Sequence, residues 1–234
     1  MEPNTLGLNK LPADTKVCVA MSGGVDSTAA AYLLKKQGYD VFGLTMDLLE
    51  PPYAPAHSSI GDAAVMAKKI GISHYLLNLK ADFRHLVVDY FADSYLRGLT
   101  PSPCLKCNQS IKLGLLADKA VALGADIIVT GHYADVRLTP HGAELHKGRD
   151  VRKDQSYFLF NIRKEILSKF RCPLAEYSKE ETRRLATEAG LEVAAKPDSQ
   201  DICFVRNGSY ADFIEGHTGN KSVSYTHLTL PTIA

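Results

Sequence analysis

The stretch KVCVAMSGGVDS (16–27) decides the fold. Its first half, KVCVAM (16–21), is an almost unbroken apolar run with the length of a buried strand. Two adjacent glycines follow, flanked by serines and an aspartate. STAAAYLLKKQG (27–38) then reads as a helix closed by Gly38. A strand, a glycine turn and a helix start make an anion site. Gly23 and Gly24 allow positive φ and close backbone approach. Backbone N–H groups at the helix start face the anion, and the helix dipole adds to them. Ser22, Ser27 and Thr28 contribute hydroxyls. A Walker A loop needs four residues between its glycines and then Gly-Lys. No lysine stands here, so the turn suits a leaving pyrophosphate better than a tightly held β/γ-phosphate. Asp26 would repel phosphates unless a cation intervenes, and Mg²⁺ held by Asp26 is the simplest resolution. The bland alternative is a tight turn that uses glycine for geometry alone.

Working outward, DVFGLTM (40–46), HYLLNL (74–79) and ADIIVTGH (125–132) read as strands. IGDAAVMAKKIG (60–71), DFRHLVVDYFADSYLRG (82–98) and SIKLGLLADKAVALG (110–124) read as helices. EPPYAPAHSS (50–59) and LTPSPCLKCNQ (99–109) are proline-broken loops. This alternation predicts an α/β fold with a doubly wound, Rossmann-like parallel sheet. Ligands of such sheets sit at the carboxyl ends of the strands, where AMSGGVDS and TGHYAD both fall. Beyond residue 133 the pattern changes. ADVRLTPHGAELHKG (134–148) predicts a hairpin about Pro-His-Gly. KDQSYFLFNI (153–162) and SKEETRRLATEAG (178–190) predict helices, the second opened by a capping box of Ser178 and Glu181. The expected organisation is a nucleotide-binding catalytic domain over 1–160, the start of a small helical module over 161–220, and a tail over 221–234 that connects to nothing before it.

A chain of 234 residues, 45% hydrophobic and 23% charged, can build a core, and its net charge of +1 offers no global field for nucleic acid. Residues 147–184 nevertheless hold eleven Lys/Arg against six Asp/Glu, a plausible phosphate-contact surface. Tyr157, Phe158 and Phe160 read as core residues of the short helix. The N-terminus has no apolar signal region and no run is long enough to span a bilayer, which predicts a cytoplasmic protein without membrane association and with reduced thiols. In that setting the cysteines point to metal binding or catalysis. The five are Cys18, Cys104, Cys107, Cys172 and Cys203.

SGGVDS resembles the pyrophosphate (PP) loop of the N-type ATP pyrophosphatases, which split ATP to AMP and pyrophosphate while adenylating an acceptor oxygen. TPSPCLKCNQSIK (100–112) and DSQDICF (198–204) narrow the resemblance. With GLTM (43–46), TGHYA (130–134) and KDQSYFL (153–159) they resemble the bacterial tRNA-specific 2-thiouridylases of the MnmA/TrmU type, from about Lys16 to about Phe213. The resemblance implies adenylation of the wobble uridine O2 of tRNA by ATP with Mg²⁺, then displacement of AMP by sulfur. It implies a sulfur-donor partner, a cysteine desulfurase or relay protein. It assigns ATP contacts to Ala20, Met21, Ser22, Gly23, Gly24, Val25, Asp26, Ser27, Met46 and Gly131. It assigns a persulfide to Cys203, and to Cys107 the attack that closes a disulfide as sulfide leaves. Ser102, Pro103 and Cys104 would face the target base, and His132, Lys153, Asp154 and Gln155 the tRNA.

Thiolates are the reactive forms, so both working cysteines need a lowered pKa or a positive neighbour. Cys107 precedes a helix expected to start near Gln109, where the dipole would favour thiolate, and Lys106 and Lys112 are candidate neighbours. Cys203 within ICFV reads, taken alone, as a core residue. Cys18 and Cys172 read as structural. The family pattern carries aspartate where this chain has Cys104. Cys104, Cys107 and Cys203 therefore leave three routes open: persulfide and disulfide, a [4Fe–4S] cluster with one open iron, or zinc. Family members continue into a C-terminal β-barrel, whereas 221–234 does not match that continuation and reads as foreign sequence joined to a truncated gene. Two other functions compete: another PP-loop synthetase such as an amidotransferase, which would not need the cysteines, and an inactive fragment that binds ATP or tRNA.

Overall fold

The computed structural model describes residues 2–50, 59–197, 202–205 and 209–219. The proline loop over 51–58, all of DSQD (198–201) and the tail over 221–234 lie outside the described residues. Five parallel strands form the main sheet in the order β3-β2-β1-β4-β7: Lys16–Ala20 (β1), Asp40–Asp47 (β2), Ser73–Asn78 (β3), Ile127–Val129 (β4) and Phe170–Arg171 (β7). Ala134–Thr139 (β5) and Gly142–Lys147 (β6) make the antiparallel hairpin expected around Pro140-His141.

The order follows from apolar content. Val17, Cys18 and Val19 are fully buried at the centre, and Ile127, Ile128 and Val129 beside them are nearly so. Successive strand side chains face opposite ways, so β1 feeds two cores. Val17 and Val19 join helices Val25–Lys36 (α1) and Ser59–Ile70 (α2) through Ala29, Leu34, Ala63 and Met66. Cys18 faces the other side, against Leu113, Leu116 and Ala117. Those residues lie on a helical run over 103–122 (α4), which winds from Pro103–Cys107 through a wider Asn108–Leu116 to Ala117–Ala122. A similar run over 80–96 (α3) combines Lys80–Phe83, a wide Arg84–Asp89 and Tyr90–Leu96.

Downstream come Lys164–Lys169 (α5), Lys179–Glu188 (α6) and Tyr210–Thr218 (α7). The capping box of α6 is present: Ser178 Oγ accepts from the Glu181 N–H at 3.1 Å, and Glu181 Oε2 accepts from the Ser178 N–H at 2.6 Å. Leu174, Ala186, Leu191 and Val193 share the α1–α2 core, so this segment packs on the same sheet. No helix among the described residues is long and apolar enough to cross a membrane.

Two expectations are corrected. The helix expected over 153–162 is a single turn, Ser156–Phe158. Only Leu159 is buried there, while Tyr157 and Phe160 are 59% and 70% exposed, so those two rings are not core. The helix expected to begin near Gln109 begins at Pro103, with Ser102 extended at its cap. Proline is preorganised for the first helical position, and that preference outweighed the loop-like look of TPSPC.

Candidate active site

The pyrophosphate loop joins the carboxyl end of β1 to α1 and is braced by its neighbours. Gly23 has φ +73°, and a Cβ there would lie 2.1 Å from the Ser59 carbonyl oxygen. Gly131, just beyond β4, sits so close that a Cβ would lie 2.6 Å from Ser27 N and 2.9 Å from Asp26 Cβ. Both positions exclude any side chain, which leaves a backbone-lined cradle of the kind a phosphate needs. Gly24 caps α1 without a side-chain hydrogen bond. Ser27 Oγ accepts from the Ser22 N–H at 3.1 Å, and Thr28 Oγ1 donates to the Gly24 carbonyl at 2.8 Å. Thr45 Oγ1 donates to the Met21 carbonyl at 2.8 Å and so locks the loop entrance to β2. Val25 is buried and Ala20 partly so. Met46 pairs with Leu77 across β2–β3 and packs between two apolar clusters.

Asp26 does not stand alone. Its two carboxylate oxygens accept from Lys179 Nζ at 2.6 and 2.7 Å, and the Tyr133 hydroxyl donates to Oδ1 at 2.8 Å. The Tyr133 hydroxyl also lies 3.0 Å from Thr182 Oγ1 of α6. The cation facing Asp26 is thus an ammonium from α6. Both oxygens of Asp26, the residue expected to hold Mg²⁺, are thus engaged by protein donors here. A second lysine, Lys196, donates to the Gly23 carbonyl at 3.2 Å and to Asp62 at 2.6 Å.

The cysteine region forms on a third apolar cluster. Phe204 packs edge-on against Phe83 and Phe91, with ring centroids at 5.9 and 5.4 Å, and lies 5.1 Å from Phe213. Cys107 and Ile111 of α4 belong to the same cluster. Anchoring of Phe204 and Val205 therefore carries the 203 segment to α4, while Cys203 itself is exposed. Its reading as a core residue fails because its neighbour fills the core instead. All five cysteines are free thiols.

The Cys107 and Cys203 thiols rest protonated. Cys107 lies within α4, buried, and not ahead of its first turn, so the expected help from a helix start is lost. Burial raises its pKa, and Lys112 lowers it only in part. Although Cys203 is exposed as a residue, the protein packed around its sulfur pushes its pKa to about 12, with Cys107 and Cys104 adding to the rise and Lys112 opposing it. Lys106 instead points over the Tyr90 ring at 5.6 Å. Cys18 and Cys172 are buried with raised pKa values, in keeping with structural roles. Among the described residues no group of three or more His, Cys, Asp or Glu is arranged to hold a metal ion, so Cys104, Cys107 and Cys203 do not present a preformed cluster or zinc site.

Lys112 links the two regions. Besides the thiols it acts on His132, whose pKa burial and then Lys112 push down to about 3. The neutral imidazole Nδ1 lies 2.7 Å from Thr130 Oγ1. His132 follows Gly131, which touches the loop. Lys112 thus exerts its charge on His132, next to Gly131, and on both thiols.

The segment expected to face tRNA is tied into the fold. Asp154 accepts from the Gly148 N–H at 3.0 Å and from Ser156 Oγ at 2.8 Å. Gln155 accepts from the Tyr133 N–H at 3.1 Å and donates its own N–H to the Tyr133 carbonyl at 2.8 Å. Lys153 is exposed, as is Cys104, while Ser102 is half-buried and Pro103 buried. Some of the basic side chains over 147–184 are paired within the molecule, as Arg149–Glu181, Arg152–Glu180 and Arg163–Asp118 show. Lys179, Tyr133 and Lys196 escaped the sequence reading. One signal was available for Lys179: a lysine in the first turn of a helix opposes the helix dipole.

Residues 15–207 match the family model described as the tRNA methyl transferase HUP domain. Over 219 residues the chain is 51% identical to the tRNA-specific 2-thiouridylase MnmA of Methylobacterium nodulans, covering 90% of this chain and 57% of that protein. The protein of the same name from Rhodospirillum centenum is 50% identical over 219 residues, covering 91% of this chain and 56% of its own length. The chain thus spans little more than half the length of these relatives. Among solved structures, the U34-tRNA thiolase NcsA from Methanococcus maripaludis with its [4Fe-4S] cluster is similar at TM-score 0.54 and 18% identity, over 96% of this chain and 72% of that one. A 4-thiouridine synthetase–RNA complex with bound ATP is similar at TM-score 0.53 and 18% identity, over 83% of this chain and 46% of that one. At such identities the likeness speaks to the fold, which is the Rossmann-like one expected. By the family model and by half-identity across nine-tenths of its length, the chain belongs to the tRNA methyl transferase HUP-domain family and is a relative of the tRNA-specific 2-thiouridylases.

Proposed function

We propose that this chain carries the adenylating and sulfur-transferring site of a tRNA-uridine 2-sulfurtransferase. The observation that carries the reading is the side-chain-free cradle at Gly23 and Gly131, and it is supported by Lys112, whose charge acts both on His132 beside Gly131 and on Cys107 and Cys203. A uridine carbonyl oxygen is a poor leaving group. Attack of O2 on the α-phosphate of ATP expels pyrophosphate, and the base then carries AMP as a good leaving group. Ala20–Ser27, Met46 and Gly131 line the nucleotide, and Mg²⁺ would accompany ATP and spread its charge.

The sulfur arrives as a persulfide on Cys203, delivered by a donor such as a cysteine desulfurase or relay protein. The Cys107 thiolate attacks Cys203 Sγ, the S–S bond to the outer sulfur breaks, and that sulfur leaves with the electron pair as sulfide. Sulfide displaces AMP from C2, and a Cys107–Cys203 disulfide remains, which a two-electron reductant must reopen. Reduced thiols of this kind suit a cytoplasmic setting. Pro103 starts α4 beside the base site, and Lys153 would meet the tRNA backbone. The metal-free route is favoured because the three thiols form no preformed metal group.

The test is to incubate the protein with ATP, Mg²⁺, a cysteine desulfurase with cysteine, and unmodified tRNA, and to measure 2-thiouridine and pyrophosphate. Both should appear, and thiouridine should vanish in Cys107→Ala and Cys203→Ala. Thiouridine formed equally without these cysteines refutes the sulfur route. ATP bound without pyrophosphate release would leave only a binding fragment.

A further inference from the structure

The loop lacks the lysine that other phosphate loops carry, yet an ammonium stands against it. Lys179 is the first residue of α6, its side chain only 8% exposed, and its Nζ pairs with both oxygens of Asp26 from 153 positions away. The Tyr133 ring lies beneath it, 5.8 Å from Nζ. Burying an ammonium is costly, and a buried ion pair is often no more stabilising than well-packed apolar residues. A lysine in the first helical turn also opposes the helix dipole. Part of that opposition is relieved by Asp150, whose Oδ2 accepts the Lys179 N–H at 3.2 Å. The fold therefore tolerates an unfavourable arrangement at one point, and that point is the pyrophosphate loop.

We propose that Lys179 is the phosphate-binding cation of this loop, held on Asp26 while the site is empty and transferred to the polyphosphate when it seats. The inference rests on the nucleotide reading above. A polyphosphate over Gly23 and Gly24 brings several negative charges against Asp26. Lys179, paired with Asp26 itself, can lower this repulsion by exchanging a carboxylate for a phosphate oxygen, whereas Lys196 is held by Asp62 and the Gly23 carbonyl. The exchange keeps the ammonium paired throughout and breaks no covalent bond. Lys179 thereby supplies from a distant helix what a Walker lysine supplies from within its loop, and it remains to stabilise pyrophosphate as that leaves.

The test is calorimetric binding of pyrophosphate, ATP and AMP to the full chain, with thermal melting as the check on folding. Lys179→Met should weaken pyrophosphate and ATP at least tenfold and leave AMP within twofold. Lys179→Arg should recover most of the loss. If Lys179→Met is folded and binds pyrophosphate like the wild type, the lysine is only a structural tie and the proposal fails, while the nucleotide reading stands. If the wild type binds none of the three ligands, both fall together. If Lys179→Met does not fold, Asp26→Asn decides. Released from its carboxylate, Lys179 should then bind Mg²⁺-free pyrophosphate more tightly than in the wild type, and equal or weaker binding overturns the proposal.

Discussion

The two halves of the site differ in how far they are assembled. The phosphate cradle is rigid: Gly23 and Gly131 leave no room for a Cβ, Thr45 locks the entrance, and the Asp26–Lys179–Tyr133 group ties the loop to α6. The cysteine half is placed but chemically at rest, with the Cys107 and Cys203 thiols both held protonated. Backbone geometry can be fixed by packing alone. A thiolate exposed before it is needed invites oxidation, so a resting thiol that must be activated is a sensible complement to a cradle that is always ready.

The contrast breaks most visibly at the cradle. Gly23→Ala forces a left-handed φ on alanine and a clash with the Ser59 carbonyl. Backbone strain of about 1–3 kcal/mol plus displacement of the loop should weaken ATP at least a hundredfold. Thiol alkylation rates should stay as in the wild type, and calorimetry beside mass spectrometry reads both. A comparable rise in Cys107 reactivity would show that the halves are not separate.

On the other side, Phe204→Ala removes a ring shared by Phe83, Phe91 and Phe213. It should cost about 3–5 kcal/mol of stability and expose Cys107 to alkylation. ATP affinity should change less than threefold.

Resting thiols make a kinetic prediction. Desolvation and the neighbouring thiols raise the Cys203 pKa, so Cys203 holds less thiolate at pH 8 than an unperturbed cysteine. Iodoacetamide should therefore label exposed Cys104 first, and Cys203 labelling should keep rising with pH well past 9. Equal rates for the two at pH 7 would mean that Cys203 is already activated.

The effect confined to acid pH concerns His132. Its folded pKa of about 3 lies below the ordinary 6.5, so the unfolded chain binds the extra proton and stability falls as pH drops from about 6.5 toward 3. His132→Asn should flatten that part of the melting-temperature profile. An unchanged acid slope would remove His132 as its cause.

Legibility in the sequence followed range. Short-range signals were readable: the apolar run and glycine turn of 16–27, the strand–helix alternation, and the Ser178–Glu181 capping box all report on neighbours within a few residues. The start of α4 was readable too, in Ser102-Pro103, but the prolines and cysteines around it masked the signal. What could not be read were pairings across the chain. No local pattern in SKEE says that its lysine lies on Asp26, and nothing in ICFV says that Phe204 fills the core while Cys203 faces out. The exposure of Tyr157 and Phe160 was missed because an apolar run looks alike whether it packs or turns outward.

The central claim is that one chain makes the electrophile at the glycine loop and brings the sulfur on two cysteines. The direct measurement is pyrophosphate release and thiouridine formation, followed together in one reaction on unmodified tRNA, with cysteine desulfurase and cysteine as donor. For the Cys107→Ala, Cys203→Ala double variant the account predicts that pyrophosphate release persists while thiouridine disappears. Thiouridine still forming at the wild-type rate would contradict it.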